Sequence, residues 1–288
     1  MPTRGSGLFA GTRYPWDDDE AMKRLKTLMN LEGRVACITG GGGHIGAAMG
    51  EALAELGAAI VVLDVDADHC RDVAESIQRD FGVRTMVLTT DLTDENAVRS
   101  VPRVVLSEFG RLDILIHCAA LVNSSNLAGF TSPFAEQKSD VWRMALEVNL
   151  TAPFVLTQVC ADALAASGHG SVINIGSLYG VGGPDMRLYE NTPMGNSSAY
   201  AASKGGVLSL TRWLATVLAP RIRVNSITPG GLWRNQPEAF HQRFVARTPL
   251  QRMGAEEDFK GAAAYLASDL SLYVTGHNLV VDGGFTTW

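Results

Sequence analysis

The chain has 288 residues, of which 46% are apolar, and its net charge at pH 7 is −6. One large core can be buried at this length, so we expect one main domain. The acidic balance argues against nucleic acid as a partner, since binding to phosphates needs a basic face. No apolar run of about twenty residues and no secretory signal pattern is found, so neither a membrane span nor export is expected.

Four cysteines are scattered through the chain without CxxC spacing. Cys37 and Cys118 lie inside apolar runs typical of strands. Buried free thiols in a reducing cytoplasm are the expected interpretation, and no metal site is predicted.

Residues 1–30 contain Gly, Pro and an acidic run from Asp17 to Glu20, followed by Met22, Leu25, Leu28 and Met29 at helical spacing. This composition predicts an N-terminal extension outside the sheet core, and residues 31–288 then form the main domain. A disordered arm is an open alternative for the extension.

From Arg34 onward, short Val/Ile/Leu runs alternate with longer helical patterns. The alternation is typical of βαβ units and predicts an α/β fold: one doubly wound, seven-stranded and mostly parallel sheet. The predicted strands are 34–39, 59–64, 84–89, 112–118, 171–176, 222–228 and 278–282. The predicted helices are 45–57, 67–80, 94–109, 139–166, 199–219 and 256–268. Pro102 is expected to kink the third helix or end it early.

A glycine run, Gly40 to Gly43, connects the first strand to the first of these helices. Glycine lets the backbone approach a pyrophosphate closely, and the N–H groups at the start of a helix face the phosphate charge. Asp64 ends the second strand, where its carboxylate would accept hydrogen bonds from an adenosine ribose. The pattern therefore predicts a nicotinamide-type dinucleotide site; a purely structural turn is the alternative.

Tyr200 and Lys204 stand one turn apart at the start of a predicted helix. A neighbouring ammonium favours the phenolate, so we expect it to lower the tyrosine pKa and to let Tyr200 exchange a proton with an alcohol or carbonyl. Ser177 closes the fifth strand and would bind the substrate oxygen. Asn149, in helix 139–166, would order a relay water against Lys204. Taken alone, the Tyr/Lys spacing also fits a solvated helix face.

Over about residues 31–285, these motifs together resemble the short-chain dehydrogenase/reductase family. The resemblance implies a Rossmann-fold domain in which Asn149, Ser177, Tyr200 and Lys204 form the catalytic tetrad. The cofactor-binding residues that the prediction assigns are Gly40, Gly43, His44, Ile45, Gly46, Asp64, Asp91, Leu92, Cys118, Ala119, Ala120, Tyr200, Lys204, Pro229, Gly230 and Leu232.

Three departures from the family pattern lie within this domain. His44 stands at the second glycine of the turn, where we expect ordinary helical φ rather than a catalytic role. The run from His117 to Ala120 replaces the common Asn-Asn-Ala-Gly, which makes the anchoring of that strand less certain. The segment from Ser177 to Tyr200 is about ten residues longer than in the commonest form of the family, and Gly180 to Asn196 are read as an insertion.

Asp64 favours NAD over NADP, because its carboxylate would repel a 2′-phosphate. A plain helix N-cap is the alternative role for Asp64. The resemblance also implies a homodimer or homotetramer built partly on helices 139–166 and 199–219.

The expected activity is NAD(H)-dependent hydride transfer between nicotinamide and a secondary alcohol or ketone, with Tyr200 as the acid/base. The extended segment from Leu178 to Asn196 and the segment from Gly230 to Pro237 look like the branch associated with flagellin modification and sialic-acid-like sugar biosynthesis. This likeness suggests a sugar, sugar phosphate or nucleotide sugar as the small-molecule substrate. The candidate substrate contacts are Arg187, Tyr189, Trp233 and Arg234. The alternatives are a 3-oxoacyl-carrier-protein reductase, a generic alcohol dehydrogenase, and a non-catalytic NAD(H)-sensing regulator.

Overall fold

Seven parallel strands form the centre of the protein. The computed structural model describes residues 22–122, 125 and 127–288. In it the strands pair in the order β3-β2-β1-β4-β5-β6-β7. They are β1 (Val35–Thr39), β2 (Ala59–Asp64), β3 (Thr85–Thr89), β4 (Ile114–His117), β5 (Gly170–Ile175), β6 (Ile222–Pro229) and β7 (Asn278–Val281). The predicted seven-stranded, doubly wound fold is confirmed, and every strand pair is parallel.

Helices cover both faces of this sheet. They are α1 (Leu25–Met29), α2 (His44–Glu55), α3 (Ala67–Phe81), α4 (Glu95–Phe109), α5 (Ser139–Leu146), α6 (Ala152–Ala166), α7 (Leu178–Val181), α8 (Ser198–Leu218), α9 (Glu238–Arg247) and α10 (Lys260–Ala267). One core lies between the sheet and α2, α3 and α10, and the other lies between the sheet and α4, α6 and α8. Helix α9 and the short α7 are additions to the predicted set.

The central strand shows why the hydrophobic runs are continuous. All five residues of β1 are buried. Ile38 packs into the first core, whereas Cys37 packs into the second. A strand covered on both faces needs apolar side chains at every position, which removes the alternation of a half-exposed strand.

The boundaries of α3 and α4 follow from their capping residues. The Asp66 carboxylate accepts hydrogen bonds from two backbone N–H groups at the start of α3, and Asp94 does the same for α4. Gly82 and Gly110 end these helices in the left-handed region, which glycine adopts without a Cβ penalty.

Helix α4 does not end early at Pro102, because it continues to Phe109, whereas the expected kink stays a prediction. Val98, Val101 and Val105 are buried on the same face, before and after the proline. This packing holds both halves of the helix against the sheet and offsets the hydrogen bond that proline cannot make.

The predicted helix 139–166 is one helical stretch with a π-turn inside it. Five residues, Glu147–Thr151, separate α5 from α6 and adopt π-helical hydrogen bonding. Ser139–Ala166 is long and apolar enough to cross a membrane by length and composition, and 44% of its most apolar window is buried inside the protein. A buried core helix meets the same criterion.

The N-terminal extension is described only from Met22 onward. Its predicted amphipathic piece forms α1, and α1 packs near the 3₁₀ turn Asp269–Ser271. Residues 1–21, with the acidic run, lie outside the described residues, so the division at residue 30 stays a prediction.

Candidate active site

A cavity of about 620 Å³ opens at the carboxyl ends of the strands. Its wall includes residues at or directly after the ends of six strands, β1 to β6. The chain passes from β1 to β2 on one side and returns with β4 on the other, so the cavity lies where the strand order reverses. The sixteen predicted cofactor contacts all lie on this wall.

The glycine turn brings its backbone close to the loop after β4. Gly40 has a φ of +67°, and a Cβ there would lie 2.6 Å from the backbone nitrogen of Ala119. A Cβ on Gly46 would overlap the carbonyl oxygen of Gly40. Only glycine fits at these two positions, and the resulting cradle at the start of α2 suits a pyrophosphate.

His44 has the helical conformation expected for it, as the first residue of α2. Its side chain is 74% exposed, and Nδ1 lies 3.7 Å from the Glu256 carboxylate. The second glycine of the family turn is therefore replaced without backbone strain.

Two carboxylates mark the end of the cavity near β2 and β3. Asp64 Oδ1 accepts a hydrogen bond from the backbone N–H of Val65 at 2.7 Å. The α3 N-cap is Asp66, so the alternative role of Asp64 as that cap is wrong. Asp91 accepts hydrogen bonds from the backbone and hydroxyl of Thr93, and these bonds lower the pKa of the Asp91 carboxyl. The residues that line the cavity include one lysine, Lys204, and one arginine, Arg234. Neither of them follows β2 or β3.

Ser177, Tyr200 and Lys204 converge on the cavity wall. Ser177 is the N-cap of α7, and its hydroxyl accepts a hydrogen bond from the Tyr179 backbone at 3.2 Å. Lys204 Nζ lies 5.7 Å from the centre of the Tyr200 ring and donates to the Ile175 carbonyl at 2.7 Å. The predicted one-turn spacing on α8 therefore places both side chains beside the end of β5.

The ionisation of this group differs from the sequence expectation. Burial raises the pKa of Tyr200, and the hydrogen bond with Ser177 opposes that rise. Burial also lowers the pKa of Lys204 to about 8. The pKa of Tyr200 is thus raised rather than lowered, because loss of hydration disfavours the charged form of each group.

Asn149 lies in the π-turn behind the wall and is 1% exposed. Its Oδ1 accepts from the Leu121 N–H at 2.7 Å, and its Nδ2 donates to the Leu121 carbonyl and to the Ser203 hydroxyl. The amide therefore clamps the loop after β4 to α8. The predicted water between Asn149 and Lys204 stays a prediction.

The replacement of the family's Asn pair is compensated by Thr39 and Thr157. Thr39 Oγ1 accepts from the backbone N–H groups of Cys118 and Ala119 at 3.2 and 3.3 Å. His117 Nε2 lies 2.9 Å from Thr157 Oγ1 in α6. Burial lowers the pKa of His117 to about 3, so the ring is neutral. The strand end is anchored by these contacts.

Three of the four candidate substrate residues lie away from the cavity wall. Arg187 is ion-paired with Asp185 and 78% exposed. Tyr189 is buried in a cluster between the insertion and α9, and Trp233 contacts the His241 ring. Arg234 does line the cavity, where its Nη2 lies 2.5 Å from Glu256. The Arg187 guanidinium is bound by a carboxylate two residues away, and its role as a substrate contact stays a prediction.

Sequence reasoning missed several wall residues that belong to no motif. Thr90 follows β3 directly and precedes the predicted Asp91. Met144 and Val148 face the cavity from α5 and the π-turn. Their only sequence signal is proximity to Asp91 and Asn149.

The fold and this cavity define a class: a Rossmann-type protein with a dinucleotide-shaped site beside a Ser/Tyr/Lys group. Comparison with known proteins supports the assignment to this class. A family model described as enoyl-(acyl carrier protein) reductase matches residues 42–286. The cis-4-hydroxycyclohexanecarboxylate dehydrogenase of Sinomonas cyclohexanicum is 36% identical over 258 residues, which are 88% of this chain and 96% of that protein.

Two solved structures are similar along nearly their whole length. A gluconate 5-dehydrogenase from Burkholderia cenocepacia, in complex with NADP and tartrate, is 31% identical with a TM-score of 0.79, covering 92% of this chain and 100% of that one. A short-chain dehydrogenase from Leptospira borgpetersenii with bound NAD⁺ is 32% identical with a TM-score of 0.78, covering 93% and 98%. The chain belongs to the short-chain dehydrogenase/reductase family and is an oxidoreductase that acts on alcohols or ketones.

Proposed function

We propose that this enzyme transfers a hydride between NAD(H) and a secondary alcohol or ketone, with Tyr200 as the acid/base. The observation that carries the proposal is the convergence of Ser177, Tyr200 and Lys204 on one wall of the cavity. The alternative, in which Tyr200 and Lys204 belong to a solvated helix face, is inconsistent with Lys204 being 3% exposed.

NAD is the proposed cofactor because the cavity fits its parts. The glycine cradle at α2 would hold the pyrophosphate, and Asp64 and Asp91 would accept hydrogen bonds at the adenosine end. The Lys and Arg residues that line the cavity, Lys204 and Arg234, do not follow β2 or β3, so the wall offers neither residue type beside Asp64 to bind a 2′-phosphate. Pro229 and Gly230 line the opposite end of the cavity.

The chain's own groups handle the proton while the bound nicotinamide supplies or accepts the hydride. Ser177 Oγ binds the substrate oxygen, and Tyr200 Oη takes the proton of the alcohol or returns it to the ketone. When Lys204 is protonated, its ammonium, 5.7 Å from the centre of the Tyr200 ring, favours the phenolate over the phenol. Asn149 holds the wall formed by Leu121 in place.

The proposed substrate is an oxygen-rich alcohol that carries an anionic group, a class that includes sugar acids and sugar phosphates. Arg234 supports this choice, since its guanidinium lies on the wall of the cavity. An anionic group that binds there would have to share this guanidinium with Glu256 or displace that carboxylate. Two of the similar proteins are named for carboxylate-bearing alcohols, hydroxycyclohexanecarboxylate and gluconate. A sugar of the flagellin-modification type is one member of the class. We also propose a cytoplasmic location.

The test is a hydride-transfer assay that follows NADH absorbance on matched alcohols with and without a carboxylate or phosphate. Tyr200→Phe should lose most of kcat, at least about a hundredfold, because the proton acceptor is removed. Near-wild-type turnover by Tyr200→Phe would contradict the mechanism. A 3-oxoacyl thioester in the panel tests the acyl-carrier alternative, and cofactor binding without turnover of any substrate would favour a regulator.

A further inference from the structure

The insertion places a second tyrosine pair behind the catalytic tyrosine. The Tyr179 ring meets the Tyr200 ring edge-on, with the ring centres 6.5 Å apart. The hydroxyl of Tyr179 is hydrogen-bonded to that of Tyr189, and Tyr189 accepts a further bond from Asn196 Nδ2 at 3.2 Å. Tyr189 and Asn196 both belong to the insertion 180–196, whose ends lie beside Ser177 and Tyr200.

Aromatic rings anchor Tyr189 from the other side. Its ring lies 5.3 Å from Phe240 of α9, and Phe240 lies 5.9 Å from Phe244. Phe244 in turn stacks on Phe285 near the end of the chain, at 4.5 Å and 16°. We call Phe285, Phe244, Phe240, Tyr189 and Tyr179 the aromatic series. Ring contacts join its members from Phe285 to Tyr189, the hydroxyl hydrogen bond joins Tyr189 to Tyr179, and a ring contact joins Tyr179 to Tyr200.

The two hydroxyls require an explanation, because the cluster around them is apolar. Leu178, Leu188, Phe240 and Met253 belong to the same apolar cluster as Tyr189, and Tyr179 packs against that cluster. A buried hydroxyl costs stability unless it is hydrogen-bonded, and phenylalanine would fill the same space without that cost. What the hydroxyl bond adds is a fixed orientation of both rings.

We propose that Tyr189 is a positioning residue for catalysis, which holds Tyr179 so that the Tyr179 ring fixes the catalytic Tyr200 against Ser177. The inference rests on the proposed function of Tyr200. It gives the insertion a role in the proton transfer itself, although Tyr189 does not line the cavity.

A pH profile separates this role from a general structural one. The groups that face Tyr200 are Lys204 on the same helix, Ser177 and Tyr179 after β5, Cys118 after β4, and Tyr189 from the insertion. Of these, Ser177 lowers the pKa of Tyr200 by hydrogen bonding. If the ring is free to turn, that bond weakens and the tyrosine pKa rises. In the pH profile of kcat for alcohol oxidation, the limb that reports formation of the Tyr200 phenolate then moves to higher pH.

The variants are Tyr189→Phe, Tyr179→Phe and the double substitution, each of which keeps the rings. Each single variant should lower kcat for alcohol oxidation about tenfold, because small misplacement of a reacting group slows its step. The limb of the kcat profile should shift to higher pH, while the Kd for NADH, measured by fluorescence, stays within about twofold. The double variant should be no slower than either single one, since the hydroxyls act as a unit. Tyr273→Phe, at a fully exposed site, is the matched control.

A wild-type kcat and pH profile in Tyr189→Phe would overturn the inference. So would a loss of kcat without a shift of the pH limb, whether or not the affinity for NADH falls with it. These failures differ from failure of the proposed function, in which the wild-type enzyme itself converts no alcohol or ketone of the panel.

Discussion

Asp64 is a single carboxylate on which the cofactor preference depends. Asp64→Ala should weaken NAD binding about tenfold, because the acceptor for the ribose hydroxyls is lost. The difference in affinity between NAD and NADP should also decrease, because the charge that repels a 2′-phosphate is removed. Fluorescence titration with NADH and NADPH measures both changes. Asp72→Ala, exposed on α3, is the control. Tighter binding of NADPH than NADH by the wild type would show that the assignment is wrong.

His117 makes the fold sensitive to acid. Its pKa is lowered to about 3 by burial, against 6.5 for an ordinary histidine. Between these values the unfolded chain binds a proton that the folded chain does not, so stability is complete above pH 6.5 and falls as the pH decreases. Between pH 7 and pH 4, the free energy of unfolding of the wild type should fall by about 3 kcal/mol more than that of His117→Asn, which has no histidine to protonate at this position. Urea unfolding across that range measures the difference, and equal acid losses in both proteins would contradict it.

Among the elements, the first turn of α2 can be tested with two helical glycines. Gly46→Ala should lower the free energy of unfolding by about 2 kcal/mol or more and abolish NADH binding, because its Cβ overlaps the Gly40 backbone. Gly261 lies in α10 with open space around it. Gly261→Ala should raise stability by about 0.5–1 kcal/mol through helix propensity. Denaturant midpoints compare the two, and equal effects would show that the turn has no special steric demand.

The elements were more predictable than the contacts between side chains. Continuous apolar runs predict the strands because both sheet faces are covered, and the glycine turn, Asp64, and the Tyr200/Lys204 spacing are local patterns. The π-turn at Asn149 and the passage of α4 through Pro102 depend on packing by distant residues. The ion pair of Arg187 depends on rotamers, and the raised pKa of Tyr200 depends on burial that the sequence does not give.

At the scale of the whole molecule, α5, α6 and α8 leave large apolar side chains exposed. Trp213 and Val217 are 56% and 50% exposed, and Trp142 and Phe154 are 36% and 37% exposed. Trp213 and Val217 lie one turn apart on α8, so they share a face. We expect the wild type to be a homodimer or homotetramer, and Trp213→Glu to shift it toward smaller species by burying a charge at the contact. Light scattering at matched concentrations measures both, and a monomeric wild type would contradict the expectation.

The position of the cavity makes the stability of the folded protein, and so its lifetime in the cell, depend on cofactor binding. Because the wall is assembled at the ends of six of the seven strands, none of these six strands can open at that end without losing the site. At a cofactor concentration of a hundred times Kd, binding adds about 2.7 kcal/mol to the free energy of unfolding, which lowers the unfolded fraction about a hundredfold. Proteases act on that fraction, so the steady-state amount of this enzyme should follow the cellular supply of its dinucleotide, and starvation for the cofactor should hasten degradation of the protein.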